Sequence, residues 1–303
     1  MSVKAVTALV NGQTYDLVYD ETSGMYTATL TAPSKSSYQV NDGHYYAVSI
    51  TATDTAGNSK TINDTDSSLG NSLKLKVKEK TAPVISITAP TAGALITNNK
   101  PAITWTVTDA DSGVNSDTIG ITIDSGSKIT SGITKTATSN GYTCSYTPAT
   151  ALADGSHTLK FDASDNDGNA ASQASRTFKI DTVPPTLSVT SPTSDLVTNK
   201  ASLTVSGTTN DATSSPVTVT VKLNNGTAQE VTVASDGSFS KAITLVEGSN
   251  TITVVAKDGA NKTTTVTRTV TLDTVAPKFE SVTITPNPVD AGQTFIITVK
   301  VSD

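Results

Sequence analysis

The sequence has little of what enzymes and membrane proteins are usually built from. One cysteine, Cys144, occurs in 303 residues, so no intrachain disulfide can form and a disulfide scaffold is excluded. The two histidines, His44 and His157, lie 157 − 44 = 113 residues apart. They can supply neither a zinc cluster nor a shared catalytic base. Hydrophobic residues make up 36% and aromatic residues 5%, which argues against one large shared core. No run approaches the roughly 18 consecutive apolar residues of a membrane helix. Basic runs are missing too: the net charge is 21 − 27 = −6, and an acidic chain repels nucleic acid and anionic lipid. Residues 1–30 carry Lys4 as their single cation and no continuous apolar segment, so no secretory signal peptide is expected there. Glycines occur singly, as turns require, and not in a phosphate-binding motif.

What the chain does have is repetition. Three Pro-containing joints resemble one another: Thr81-Ala82-Pro83, Asp181-Thr182-Val183-Pro184-Pro185 and Asp273-Thr274-Val275-Ala276-Pro277. Aligned on Pro83, Pro185 and Pro277, they are spaced 185 − 83 = 102 and 277 − 185 = 92 residues apart, the length of one seven-strand sandwich. An acidic-Gly turn recurs at Asp42-Gly43, Asp154-Gly155 and Glu247-Gly248. A second turn follows one strand later, at Asp54-Thr55-Ala56-Gly57-Asn58, Asp165-Asn166-Asp167-Gly168-Asn169 and, in shorter form, Asp258-Gly259-Ala260-Asn261. Gly and Asn accept the positive φ of tight turns, and Asp bonds the backbone two residues on. Between turns the apolar residues alternate: Tyr46, Val48, Ile50 and Ala52; Ile103, Trp105 and Val107; Val217, Val219 and Val221. Period two with no sustained helical period predicts antiparallel sheet throughout.

The D-T-x-A-P joint, the D-G turn and the D-x-A-G-N turn resemble the bacterial immunoglobulin-like (Big-type) repeats of surface adhesins and of phage tail and fibre proteins. Residues 184–274, with Gly237-Ser238-Phe239 and Gly248–Ile252, are also similar to an accessory domain of polysaccharide-degrading enzymes. The resemblance implies an all-β chain of tandem immunoglobulin-like β-sandwiches in a linear array. The expected modules are 1–80, lacking its first two strands; 81–181; 182–274; and a partial module of two strands at 275–303. One sandwich hosts many functions. The expectation is a non-catalytic spacer of a phage particle, tail-associated and made in the cytoplasm. Its rivals are a segment of an exported adhesin at the bacterial surface and a carbohydrate-binding accessory module. Partners would be other virion or surface proteins, or a host surface glycan or protein. The matching gaps at the two ends fit a chain cut from a longer array at matching phase, a first module that closes with fewer strands or is covered by another protein, or head-to-tail self-association through residues 276–303 by strand addition.

Two sets of side chains are candidate sites. Asp109, Asp111, Asp165, Asp167, Asp181 and Asp273 gather near predicted module ends. Ca²⁺ takes six to eight oxygen ligands, and the resemblance implies structural calcium at such joints in some adhesins. The plainer reading is that each Asp caps its own turn. No other cofactor is expected. Six of the eight tyrosines lie in the first 46 residues. Tyr15, Tyr19 and Tyr46 read as core, while Tyr38 and Tyr45 are candidate partner anchors. Cys144 and Trp105 alternate with apolar neighbours and read as core.

Overall fold

The structure is a computed structural model and describes residues 2–303. It separates into two compact units, Met1–Ile180 and Asp181–Asp303. The described residues form strands and turns with a single short 3-10 segment, Gly70–Leu73, as the period-two pattern requires.

The first unit begins with one sheet. Strands Val3–Val10 and Gln13–Asp20 form a hairpin whose turn residues Asn11 and Gly12 both have positive φ, 48° and 76°, the geometry that follows strand twist. Val3–Val10 also pairs with Tyr46–Asp54, and Ser59–Ile62 and Lys74–Leu75 pair with that strand in turn. Ala8, Val10 and Tyr46 are buried. The Tyr15–Tyr19 stripe is not core as expected: Tyr15 is half-buried and Tyr19 exposed. Its strand lies toward the outside of its sheet, between the short edge strand Met25–Thr27 and Val3–Val10.

The remainder of the first unit is a closed sandwich. One sheet holds Val84–Ala89, Ile103–Thr108, Gly141–Tyr146 and Thr134–Thr138. The other holds Val114–Ile123, Gly155–Asp165, Ala174–Ile180 and Leu95–Ile96, the last pairing in parallel. Past Pro90 the chain thus crosses from one sheet to the other. Ile103, Trp105 and Val107 face Leu159, Phe161 and Ala163 in one core, with the Trp105 and Phe161 rings 5.0 Å apart and tilted. Cys144 is buried beside them, and burial pushes its thiol up to about 11, so it is packing rather than a nucleophile.

The second unit repeats the plan. Thr186–Ser191, Ser202–Asn210 and Ser238–Thr244 face a five-stranded sheet of Leu196–Thr198, Thr263–Leu272, Gly248–Lys257, Thr218–Leu223 and Gln229–Val231. Val205, Val219, Phe239, Ile252, Val254 and Val270 are among the residues filling the space between the sheets. Gly237 (φ 83°) turns the chain where a Cβ would collide with the carbonyl of Thr209, which explains the Asp-Gly at that position. Beyond it, Lys278–Thr285 and Ile296–Ser302 pair as a separate two-stranded sheet.

Candidate metal centres

The turns do more than reverse the chain: in each unit they bring three distant carboxylates together. In the first, ligand atoms of Glu79, Asp109 and Asp165 lie within 4.8 Å of one another; in the second, those of Asp181, Asp211 and Asp258 do. The two sets occupy matching places. Glu79 and Asp181 each precede the aligned proline by four residues (83 − 79 and 185 − 181). Asp109 and Asp211 each follow it by 26 (109 − 83 and 211 − 185) and come directly after the third strand of their sandwich. Asp165 ends the strand Gly155–Asp165, and Asp258 follows the equivalent strand Gly248–Lys257.

Local hydrogen bonds aim the carboxylates. In the first cluster Asp109 Oδ1 accepts from the amides of Asp111 (3.1 Å) and Gly113 (2.7 Å). Asp165 Oδ1 and Oδ2 accept from the backbone N–H (2.7 Å) and side-chain amide (2.6 Å) of Asn169. Glu79 Oε1 accepts from Ser112 N–H at 2.6 Å. The Ser112 hydroxyl, fully buried, has no partner.

In the second cluster Asp211 Oδ1 accepts from the amides of Thr213 (2.8 Å) and Ser214 (2.7 Å), and Asp258 Oδ1 from that of Lys262 (2.8 Å). Asp181 Oδ1 accepts from Val183 N–H (3.2 Å), and its Oδ2 takes a short bond from the Ser214 hydroxyl. Asp258 Oδ2 is buried and accepts nothing. Ion pairs among the described residues join Lys300 to Glu280 and His157 to Asp124; no lysine or arginine pairs with either cluster.

The structure redistributes the expected ligands. Asp109 and Asp165 meet at one cluster and Asp181 stands in the other. Asp111, Asp167 and Asp273 belong to neither. Asp111 accepts the Ser36 amide through both oxygens (3.1 and 3.2 Å), tying the first sheet to the sandwich. Asp167 Oδ2 accepts the Glu79 amide at 3.0 Å. Asp273 Oδ1 accepts from Val275 N–H at 3.1 Å, as Asp181 does from Val183. Glu79, Asp211 and Asp258 complete the groups. The acid four residues before each proline was the available signal for Glu79, and the shared offset of 26 for Asp211.

Both candidate anchors are engaged within their own sheet region. The Tyr38 ring stacks on His44 with centroids 3.9 Å apart. The Tyr45 hydroxyl donates to Asp64 Oδ2 at 2.8 Å, and this bond to a carboxylate raises its pKa above the ordinary tyrosine value.

Two facing sheets, with the first two strands placed in opposite sheets, and a private core in each case define the class: an all-β chain of tandem immunoglobulin-like sandwiches. Residues 83–160 match the family described as bacterial Ig domain, and residues 185–274 match glucodextranase, domain B. No curated protein matches the chain. Among solved structures, it is similar to the fibronectin(III)-like modules of CbhA from Clostridium thermocellum (21% identity, 63% of this chain and 94% of that one, TM-score 0.33). It is also similar to a structure from a 1.5-MDa bacterial ice-binding adhesin (19%, 90% and 87%, 0.30) and to immunoglobulin domains 1–4 of Sidekick-1 (13%, 88% and 67%, 0.40).

Proposed function

We propose that the chain is a non-catalytic spacer that presents surfaces for protein or host contact, tail-associated in a phage particle. The observation that carries the spacer reading is the pair of separate, closed cores, one around Trp105 and Phe161 and one around Phe239 and Ile252. Each sandwich satisfies its own burial and so resists unfolding by itself. The test is to stretch the full chain in a single-molecule force experiment. Two distinct sandwich-unfolding events are expected; one cooperative event for the whole chain overturns the reading. Placement in the virion predicts that the chain co-purifies with intact phage particles. Recovery on the bacterial surface instead supports the exported adhesin. The glucodextranase domain B match favours the accessory-module alternative, for which Tyr45→Ala would abolish glycan binding.

A specific observation also supports self-association. The hairpin Lys278–Thr285/Ile296–Ser302 exposes Phe279 (70%) and Ile296 (68%), together with Val282, Ile284, Ile297, Val299 and Val301. In this reading a second copy of the chain covers it by strand addition. Light scattering over a concentration series is expected to show species larger than a monomer that vanish when 278–303 are deleted. A strict monomer at high concentration overturns it.

A further inference from the structure

We propose that Arg176 and Arg268 are the tension-bearing ties of the two sandwiches, each fastening the first strand of its module to the last where an end-to-end pull enters it. The inference rests on the spacer reading and adds to it the side chains that resist the pull.

Composition points to them first. Two arginines stand among the 21 basic residues of the chain. Their places are equivalent, each five residues before the acid of its joint (181 − 176 and 273 − 268), on the final strands Ala174–Ile180 and Thr263–Leu272. Both fall in the inward register. Arg176 alternates with Phe178 and Ile180, and Arg268 with Val270 and Leu272; these four neighbours are buried. Both arginines are half-buried. A cation on a core-facing position loses hydration and needs partners.

The partners belong to the first strand, in the opposite sheet, and to the crossover that follows it. Arg176 Nη1 donates to the Pro90 carbonyl and Nη2 to that of Ile87, both at 3.1 Å. Arg268 Nη2 donates to the Val189 carbonyl at 3.3 Å. Ile87 and Val189 are equivalent too, each four residues after the aligned proline (87 − 83 and 189 − 185). At both, the ladder to the neighbouring strand breaks register, between Ile87 and Ala89 and between Val189 and Ser191. Past the break the chain crosses over and pairs in parallel with the arginine's own strand. A bulge interrupts a ladder locally, and the planar guanidinium fork supplies donors at that gap.

Tension enters a sandwich through the strands beside its joints. The first starts just after Pro83 or Pro185, and the last runs into Asp181 or up to Asp273. Peeling the first strand breaks ladder bonds one after another as far as the bulge. There the arginine holds it to the last strand, and its charge-assisted bonds must break before peeling goes on. Arg176 holds two carbonyls of this region. Arg268 holds one; its Nη1 reaches the neighbouring Thr267 carbonyl at 3.4 Å, and its Nε is buried without an acceptor. The first tie is therefore the stronger. Lys74 stands at the same offset before Glu79 (79 − 74) but bonds locally to Asn71 Oδ1 at 3.0 Å, which makes it a control.

Single-molecule stretching of the full chain at constant force tests the ties. Arg176→Met is expected to speed the unfolding of one sandwich on the order of tenfold and to leave the other event unchanged. Arg268→Met should speed the other event by a smaller factor. Arg176→Lys keeps charge and stem but gathers its donors at one point, so it should lose most of the same resistance; it also serves if Arg176→Met does not fold. Lys74→Met should change neither event. Unfolding in denaturant, without load, separates a tie from ordinary packing: there the Arg176 variants should speed unfolding by a smaller factor than under force. Equal factors with and without load overturn the proposal, as does parent-like rupture in any of the three arginine variants. Two events indifferent to both arginines would remove the ties and leave the spacer standing. One cooperative event in the parent would remove the spacer reading, and the ties with it.

Discussion

The first sheet and the sandwich that follows it, both in the first unit, use the same strand grammar with opposite results. Alternating apolar residues line Val3–Val10 and Tyr46–Asp54 much as they line Ile103–Thr108 and Gly155–Asp165. In the sandwich these residues meet a second sheet and are shielded completely, Trp105 to 0%. In the first sheet, Ala8, Val10 and Tyr46 are the hydrophobic residues that become buried, while Val18 stays 71% exposed. Alternation therefore decides that a segment is a strand. Only an opposing layer turns the alternation into a core.

Substitutions can sharpen or break this contrast. The largest effect is expected from Trp105→Ala, which should destabilise the sandwich by about 3–5 kcal/mol, read by denaturant unfolding. A loss under about 1 kcal/mol would mean that the two sheets do not share one core.

An intermediate effect comes from His157. Its Nδ1 lies 2.8 Å from Asp124 Oδ2 and its Nε2 2.8 Å from the Ala153 carbonyl. The Ala153 carbonyl only accepts, and so does the Asp124 carboxylate when ionised, so these contacts favour the imidazolium, in which both ring nitrogens donate. Burial pulls the pKa down, but the bonds to Ala153 and Asp124 outweigh it, leaving it above the ordinary 6.5. A group raised on folding contributes fully below its unfolded pKa and loses that contribution as pH climbs through the folded value. The sandwich should therefore lose thermal stability as pH rises from about 6 toward 8, and His157→Gln should flatten the slope; a flat parent profile refutes the imidazolium. The smallest effect belongs to the first sheet: Val18→Thr should change stability by no more than about 0.5 kcal/mol, and a larger loss would reveal a covering layer.

Much of the fold could be read from residue order. Asn11-Gly12 and Asn224-Asn225-Gly226 mark hairpins that form as the turn chemistry demands. The stripes Ile103-Trp105-Val107 and Val219-Val221 face inward. Tyr19 misled because its alternation matched a core strand, and sequence order does not show how far a strand lies from the middle of its sheet. The acidic sites were half visible. Asp109, Asp165 and Asp181 stood out by type and position. Glu79 was hidden by its longer side chain and by a joint that otherwise departs from the pattern. Asp258 stood in a recognisable turn and Asp211 in none, although both accept turn amides in the folded chain. At Asp211 and Asp258 the turn occupies one carboxylate oxygen; convergence of the three carboxylates is a property of the folded chain.

The contacts between the first sheet and its sandwich carry one more consequence. Asp111 grips the Ser36 amide, Asp167 grips that of Glu79, and Lys78 Nζ reaches the Asp167 carbonyl at 3.1 Å. These bonds are directional and fix position as greased apolar faces would not. A sideways load on the first sheet would be passed on as torque, with little slippage, and the pair would swing as a single lever.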